Sequence, residues 1–459
     1  MNPISEITFL SSEQIKTDPA ETLAYGKDWT TYFDIKAAAV LFPRSTEEVV
    51  QIVRWANKHK IGLIPSGGRT GLSGGACALA NEVVVSFDQM NQITAFNPIE
   101  QTVTCQAGVV TENLQKFATS KNLFYPIDFA ARGSSQIGGN IATNAGGIKV
   151  VRYGLTRDWV ANLTVVTGTG DVLELGRSLV KNATGYDLKH MLIGSEGTLG
   201  FITEATLRLT TTPVDVQVLV LAVPSLDQVM EVFAHFKSQT NLIAFEMFSD
   251  KALGYVLKST GLPPPFSAPS AFYLVVEVEK RSSEDEAQIL DVFEKCLDKG
   301  WVTDGSMSQS DEQLRSFWRY REDISESLST YSPYKNDIAV PISKVPGFIV
   351  DLDKILAEAY PTWEVIWFGH IGDGNLHINI LRPPGLTKEA FVKECQKVDN
   401  LVFSTVQKYH GSISAEHGVG LTKRSFLTYT RSPVEIEIMK GIKKIFDPQG
   451  ILNPGKLFS

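Results

Sequence analysis

Ala131-Arg-Gly-Ser-Ser-Gln-Ile-Gly-Gly-Asn-Ile-Ala-Thr-Asn-Ala-Gly-Gly147 is the stretch on which the fold turns. Its five glycines alternate with Ser134, Ser135, Asn140, Thr143 and Asn144, so backbone N–H groups and short polar side chains stand clear of bulk. Glycine is entropically costly to fix. A backbone that must approach a phosphate closely and offer it several N–H donors is one reason to accept that cost; a tight, buried turn cluster is the competing reading. Pro65-Ser-Gly-Gly-Arg-Thr-Gly-Leu-Ser-Gly-Gly75 repeats the composition upstream, so two loops could clasp one phosphate-bearing ligand from opposite sides. Neither loop matches G-x-G-x-x-G or G-x-x-x-x-G-K-[ST], which disfavours a Rossmann domain and a nucleotide triphosphatase.

Outward from these loops, 459 residues at 43% hydrophobic give enough chain for two or three domains with substantial cores. A net charge of −8 argues against nucleic acid or an anionic membrane as the main partner, so an anionic substrate needs a local cationic pocket. Cys77, Cys105, Cys296 and Cys395 are widely spaced with no C-x-x-C, which disfavours an iron–sulfur cluster or a Cys-based zinc site and fits a reducing compartment. No apolar run reaches the ~20 residues that span a bilayer, and no presequence pattern opens the chain. A cytoplasmic protein is expected, with peripheral membrane association left open.

Ala38 to Phe42 reads as a strand, Ser45-Thr-Glu-Glu48 as a capping box, Val49, Ile52, Val53 and Ala56 as one helical face, and Ile61 to Pro65 as a second strand. That β-α-β unit delivers the first glycine loop. Val83 to Phe87, Thr102 to Ala107 and Phe201 to Leu209 read as strands, Glu112 to Ser120 as a helix, and Asn162 to Leu175 as a hairpin turning at Gly168-Thr-Gly170. Glycine density falls at Thr211-Thr-Pro213, taken as a boundary. Beyond it, strands and helices alternate as expected for an antiparallel sheet with helices on one face, an α+β arrangement.

Three of the seven histidines fall in two glycine-flanked segments, Gly369-His370-Ile-Gly-Asp-Gly-Asn-Leu-His377-Ile-Asn379 and Ala415-Glu416-His417-Gly418. Imidazole plus carboxylate suits zinc or another divalent first-row ion. The spacing matches no helical pair and requires a turn between two strands; histidines that only satisfy hydrogen bonds in such a turn are the alternative. Arg321 and Ser325, in Trp318-Arg-Tyr-Arg321-Glu-Asp-Ile-Ser325, are i and i+4 on an expected helix and would share a face, with Lys335 across the next turn.

The two glycine loops, with Gly185-Tyr-Asp-Leu188 and Gly194-Ser-Glu-Gly-Thr-Leu-Gly200-Phe-Ile-Thr203, resemble the FAD-binding domain of the vanillyl-alcohol-oxidase/p-cresol-methylhydroxylase (PCMH) superfamily, and in particular its D-2-hydroxyacid dehydrogenase branch. Phe446-Asp-Pro-Gln-Gly-Ile-Leu-Asn-Pro-Gly-Lys456 carries the resemblance into the tail. It implies an α+β protein: a two-lobed PCMH-type FAD-binding domain at 1–212, an antiparallel-sheet substrate (cap) domain at 213–412, and a C-terminal helical segment, 413–459, packing back on the FAD domain. It implies FAD contacts from Pro65, Ser66, Gly67, Gly68, Arg69, Thr70, Gly71 and Leu72. Gly133, Ser134, Ser135, Gly138, Gly139, Asn140, Thr143, Asn144, Gly146 and Gly147 would supply the second loop's contacts, with Gly197, Ile202 and Asn453 beside them. The first loop has no histidine, cysteine or tyrosine for a covalent link, so noncovalent FAD follows unless Tyr153 or Tyr186 is used.

The same resemblance makes His370, His377 and Glu416 ligands of a divalent metal, with zinc as first choice, and His417 the base. Arg321, Ser325 (usually threonine in the family), Lys335, Asn379 and His417 would contact substrate. An arginine fork plus a lysine, beyond a metal that engages one carboxylate, suits a second carboxylate. The expected reaction is therefore oxidation of D-2-hydroxyglutarate to 2-oxoglutarate, hydride passing to flavin N5. D-lactate, glycolate or another D-2-hydroxyacid is the alternative substrate, and a noncatalytic flavin-bearing subunit of a dehydrogenase complex the alternative of another class. With no nicotinamide fingerprint, an external acceptor is implied: an electron-transfer flavoprotein, a quinone or a cytochrome. A homodimer is the default assembly.

Overall fold

The computed structural model describes residues 3–30 and 32–458. The chain divides into two units, one of Met1–Gly146, Gly154–Thr212 and Glu416–Ser459, the other of Gly147–Tyr153 and Pro213–Ala415.

The first unit holds two sheets. Strands β1 (Ile15–Lys16), β2 (Ala37–Leu41), β3 (Leu63–Ser66) and β4 (Glu82–Ser86) form one, in the order β1-β2-β4-β3, with β2, β4 and β3 parallel. Strands β5 (Ile93–Asn97), β6 (Thr102–Gln106), β7 (Val160–Thr167), β8 (Val172–Leu175) and β9 (Gly200–Arg208) form the other, antiparallel in the order β5-β6-β9-β7-β8. Helix Thr46–His59 joins β2 to β3. Ser45 caps it by accepting from the Glu48 N–H, while Glu48 turns its own carboxylate to the Arg44 N–H and Gln14, so only half of the expected capping box forms. Val49, Ile52, Val53 and Ala56 are fully buried in a core that also takes Val85, Val103 and Phe201. Each such Val or Ile side chain contributes roughly 1.5–3 kcal/mol by leaving water.

One element departs from the glycine-loop expectation: Ile137–Thr143 is a helix, closed by Asn144 at φ 51°. Ile137, Asn140 and Ile141 are its buried face, and the Ile137 and Gly138 N–H groups donate to Val109 O and Ala107 O. The glycines in its first turn masked an i, i+3, i+4 pattern. The tail returns beside β3, where the Leu63 N–H donates to Ile451 O and the Asn453 N–H to Leu63 O.

The second unit is built on β10 (Val216–Val223), β11 (Asn241–Ser249), β12 (Phe272–Glu279), β13 (Asp304–Met307), β14 (Tyr334–Ala339), β15 (Val365–Gly369) and β16 (Asn375–Ile380). They form one antiparallel sheet in the order β13-β10-β12-β11-β15-β16-β14. Helices cover both faces, not one. Leu253 and Val256 of Asp250–Thr260, with Phe317 and Trp318 of Asp311–Glu322, pack on Val220 and Phe248. On the opposite side Phe233 of Leu226–Gln239 meets Phe245, ring centroids 5.0 Å apart. The near-continuous apolar run of β10 is the mark of a strand buried on both faces.

One expectation about the substrate residues changes here. The helix through Arg321 ends at Glu322 and a second begins at Ile324, so Arg321 is buried while Ser325 is exposed and the two do not share a face. Lys335, across the turn that follows, lies on β14. All four cysteines are buried free thiols, and no helix of the described residues is long and apolar enough to cross a membrane.

Candidate functional site

In the first unit, β3 runs straight into the first glycine loop, and β6 leads through Ala107 to the second. Their juxtaposition opens a cleft lined by Pro65, Gly67, Gly68, Arg69, Thr70 and Gly71, by Gly138, Gly139, Asn140 and Thr143, and by Gly197 and Ile202. The glycines serve two different needs. A Cβ on Gly68 would collide with the Ser134 carbonyl, and one on Gly138 would come within 2.7 Å of the Ala107 methyl; both permit packing. A Cβ on Gly139 would meet nothing within 4 Å of itself, so the room it leaves belongs to the cleft.

The remaining expected contacts of this unit are not part of that lining. The Ser66 hydroxyl donates to Tyr25 O, the Ser135 and Thr111 hydroxyls share a 2.7 Å bond, and Asn144 accepts from the Arg157 N–H. Asn453 donates to Gly75 O and Glu196 O, tying the first loop to the Gly194–Gly200 turn. Leu72, Gly133, Ser134 and Gly146 belong to the same unit, and Gly147 to the other. Arg69, at φ 59°, stacks 4.4 Å over the Tyr25 ring and pairs with Asp88.

Two buried lining atoms, Asp28 Oδ2 and Gln136 Oε1, have no hydrogen-bond partner among the described residues. Buried polar atoms in native structures are nearly always satisfied. Acceptors left open in a cleft framed by two glycine loops fit a bound molecule carrying donors, as the ribityl hydroxyls and ring N–H of a flavin do.

His417 also lines this cleft. Its neighbourhood is fixed by Glu196, a buried residue at φ 51° whose carboxylate accepts from the Val419 N–H (2.7 Å) and the Gly420 N–H (2.8 Å). Burial pushes the Glu196 carboxyl up in pKa, against the downward pull of those two N–H donors and the Lys423 charge. Gly418, at φ 84°, lets the backbone pass; a Cβ there would sit 2.9 Å from the Glu196 carboxyl. In the sequence Glu196 stands within the Gly194–Gly200 motif with no local sign of these partners, which lie 223 and 224 positions away.

In the second unit, β14 and β16 pair so that Lys335 opposes Asn379 and Asp337 opposes His377. Alternate residues of a strand share a face, so these four form one polar patch. Phe368 of β15 stands opposite His377 with ring centroids 5.0 Å apart, and the Arg321 guanidinium lies 4.9 Å over the same Phe368 ring. The turn after β15 brings His370 to His377, ring centroids 5.3 Å apart. Gly374 makes the turn tight: at φ 86°, its Cβ would strike the Val340 carbonyl.

Both rings turn Nδ1 toward a buried carboxylate. His370 Nδ1 is 2.8 Å from Glu246 Oε1, and His377 Nδ1 is 3.7 Å from Asp337 Oδ1. The hydrogen bond at His370 Nδ1 fixes that ring's tautomer and orientation and presents its Nε2, the arrangement typical of metal-ligating histidines, while His377 and Asp337 are at ion-pair distance only. Asp337 also accepts from Asn375 Nδ2 and from the Ala415 N–H, the residue before Glu416. The donor chemistry fits a divalent ion. Neither Glu246 nor Asp337 was given a role from sequence, although a lone acid inside the apolar run of β11 was a signal.

The cations of this patch differ in their partners. Arg321 Nε lies 2.8 Å from Glu246 Oε2. Burial depresses the Lys335 pKa, and among the described residues no carboxylate pairs with its ammonium. Asn379 Nδ2, also buried, has no acceptor.

Comparison with known proteins gives the following. Residues 212–457 match the family of FAD linked oxidases, C-terminal domain, and residues 37–176 match the FAD binding domain family. D-2-hydroxyglutarate dehydrogenase of Stutzerimonas stutzeri (strain A1501) is 56% identical over 98% of this chain and 97% of its own. D-2-hydroxyglutarate dehydrogenase of Xanthomonas citri pv. viticola is 51% identical over 97% and 94%. The crystal structure of p-cresol methylhydroxylase with substrate bound superposes with a TM-score of 0.75 at 15% identity, covering 98% of this chain and 94% of that one, and shares the fold.

Proposed function

From the premise that the chain belongs to the FAD-linked oxidase family, we propose that it is an FAD-dependent dehydrogenase that oxidises D-2-hydroxyglutarate to 2-oxoglutarate. The observation that carries this reading is Lys335: a half-buried ammonium with no acidic partner among the described residues, opposite an unsatisfied Asn379 amide. Burying a charge without compensation is costly, and a second substrate carboxylate is the compensation the patch lacks. Lactate and glycolate would leave Lys335 uncompensated.

In this reading the cleft of the first unit holds FAD without a covalent bond. His370, His377 and Glu416 hold a divalent ion, zinc by the character of the donors. When bound, FAD supplies the hydride acceptor and the ion a Lewis acid that acidifies the substrate hydroxyl. The residues of the chain do the rest. Arg321, Lys335 and Asn379 hold the distal carboxylate and so fix the direction in which the single C2–H bond points, which selects the enantiomer. Ser325 joins them on family resemblance alone. His417 takes the hydroxyl proton on a ring nitrogen, a task suited to a group that titrates near neutrality. Electrons leave to an external acceptor, an electron-transfer flavoprotein or a quinone.

The test is a steady-state panel with an artificial electron acceptor, comparing D-2-hydroxyglutarate, its L-enantiomer, D-lactate and glycolate. The reading expects the D-dicarboxylate to have the highest kcat/KM. A preference for D-lactate would refute the two-carboxylate argument.

A further inference from the structure

Glu246 sits in the middle of β11, in Asn-Leu-Ile-Ala-Phe-Glu-Met-Phe-Ser, where every residue between the two ends is buried and Glu246 itself is 1% exposed. A carboxylate in such a place is expensive, and an apolar side chain of similar volume would commonly stabilise the sheet as well or better. Stability therefore does not account for it. Register does say what it reaches: β11 and β15 pair Met247 with Gly369 and Phe248 with Phe368, so the next position along, Glu246, meets His370. Its two oxygens are divided between two partners, Oε1 at 2.8 Å from His370 Nδ1 and Oε2 at 2.8 Å from Arg321 Nε.

We propose that Glu246 is a positioning residue that fixes the metal end and the distal-carboxylate end of one substrate surface at a set separation. The proposal rests on the functional reading above, in which His370 is a metal ligand and Arg321 a carboxylate clamp. One oxygen orients the His370 ring; the other occupies the Nε edge of Arg321, and no described residue accepts from its terminal nitrogens. Oε1 is hydrogen-bonded to His370 Nδ1, whereas Oε2 meets Arg321 Nε as an ion pair without hydrogen-bond alignment, and only a charged carboxylate serves both. An amide accepts on one and turns an N–H toward the other donor, so Glu246→Gln must break one of the two links at nearly constant volume. Glu246→Asp keeps the charge and loses one methylene of reach.

The test uses FAD-loaded protein. Zinc affinity is read by competition against a chromophoric chelator, and KM and kcat for D-2-hydroxyglutarate are then measured at saturating zinc. Loss of an outer partner of a metal ligand typically weakens metal binding 10–100-fold. Glu246→Gln is expected to lose zinc affinity by about that factor, and at saturating zinc to raise KM by about tenfold or more with a smaller change in kcat. Glu246→Asp should move both readouts the same way, by less. Flavin content and melting temperature are followed in parallel; if the Gln variant does not fold, the Asp variant alone decides. Unchanged zinc affinity, or weakened zinc with unchanged KM, overturns the inference. A parent protein that takes up no zinc would defeat the metal reading itself; a parent that takes it up and a variant that does so equally defeats only the role of Glu246.

Discussion

Lys335 and Asn379 face each other across β14 and β16, and the buried Asn379 Nδ2 has no acceptor among the described residues. Two donors directed at the same space ask for one acceptor group. Replacing Lys335 by Met should therefore raise KM for D-2-hydroxyglutarate by at least about tenfold, since a charge-assisted bond contributes roughly 1.5–3 kcal/mol. KM for D-lactate should hardly move. Steady-state kinetics with both substrates decides it, and equal losses for both would remove Lys335 from the distal carboxylate.

The same lysine gives a pH dependence. Burial depresses its pKa, so its proton leaves below the ordinary lysine range. The charge is present at neutral pH and lost as pH rises, so KM for the dicarboxylate should climb on the alkaline side before free lysine would titrate. The Lys335→Met variant should lack that limb. A limb that persists in the variant belongs to another group.

Gly138 and Gly139 are adjacent in sequence and opposite in consequence. Gly138→Ala would press on the Ala107 methyl, 2.7 Å away, and should lower apoprotein stability by about 1–3 kcal/mol. Gly139→Ala meets no protein atom within 4 Å and should leave the apoprotein intact while weakening FAD binding. Denaturant midpoints of the apoproteins and flavin titrations separate the two. A Gly139→Ala protein that binds FAD as tightly as the parent would place the cofactor elsewhere.

Glu196 offers a test of how His417 is held. Its carboxylate accepts from both the Val419 and Gly420 N–H groups, and Glu196→Gln can keep only one of these bonds. The variant should lose kcat by about 10–100-fold while retaining FAD, the usual reach of a displaced general base. Full kcat in the variant would mean that the return segment is fixed by other contacts.

Buried Lys456 carries a pH signature of stability. Its ammonium donates to Cys77 O at 2.7 Å, and burial lowers its pKa to about 8. Between that value and the ordinary lysine range near ~10.4, the unfolded chain binds a proton that the folded chain has released, so folding becomes more favourable as pH rises. Relative to Lys456→Met, the parent should gain stability between about pH 8 and 10. Urea midpoints at pH 7.5 and 9.5 give the comparison; parallel behaviour of the two proteins would contradict it.

What was legible in the sequence was what leaves a local trace. The strand read at Val83 to Phe87 shows as an apolar run, and the Gly168-Thr-Gly170 hairpin by its turn residues. The paired histidines were legible because two glycines flank a turn that only strands could close. The helix Ile137–Thr143 was hidden because its glycines are there for packing and for space, which outweighs their low helix propensity. The break at Asp323 left no signal in an i, i+4 count, so Ser325 was placed on the wrong side of Arg321. Glu246, Asp337 and Glu196 act through partners far away in sequence: Glu246 meets His370 across 124 positions, and Glu196 meets Gly420 across 224. Such pairings come from sheet register and chain return, which periodicity does not encode.

The central claim, a flavin protein that takes hydride from a D-dicarboxylate, is tested most directly by adding D-2-hydroxyglutarate anaerobically to the purified protein. The flavin band is followed, with the L-enantiomer, D-lactate and glycolate run alongside. The account predicts that the D-dicarboxylate bleaches the band at a lower concentration than any of the others, and that Arg321→Met and Lys335→Met abolish that advantage. Bleaching by D-lactate with none by D-2-hydroxyglutarate would contradict it, and would leave the cations beside Phe368 and Asn379 with another task.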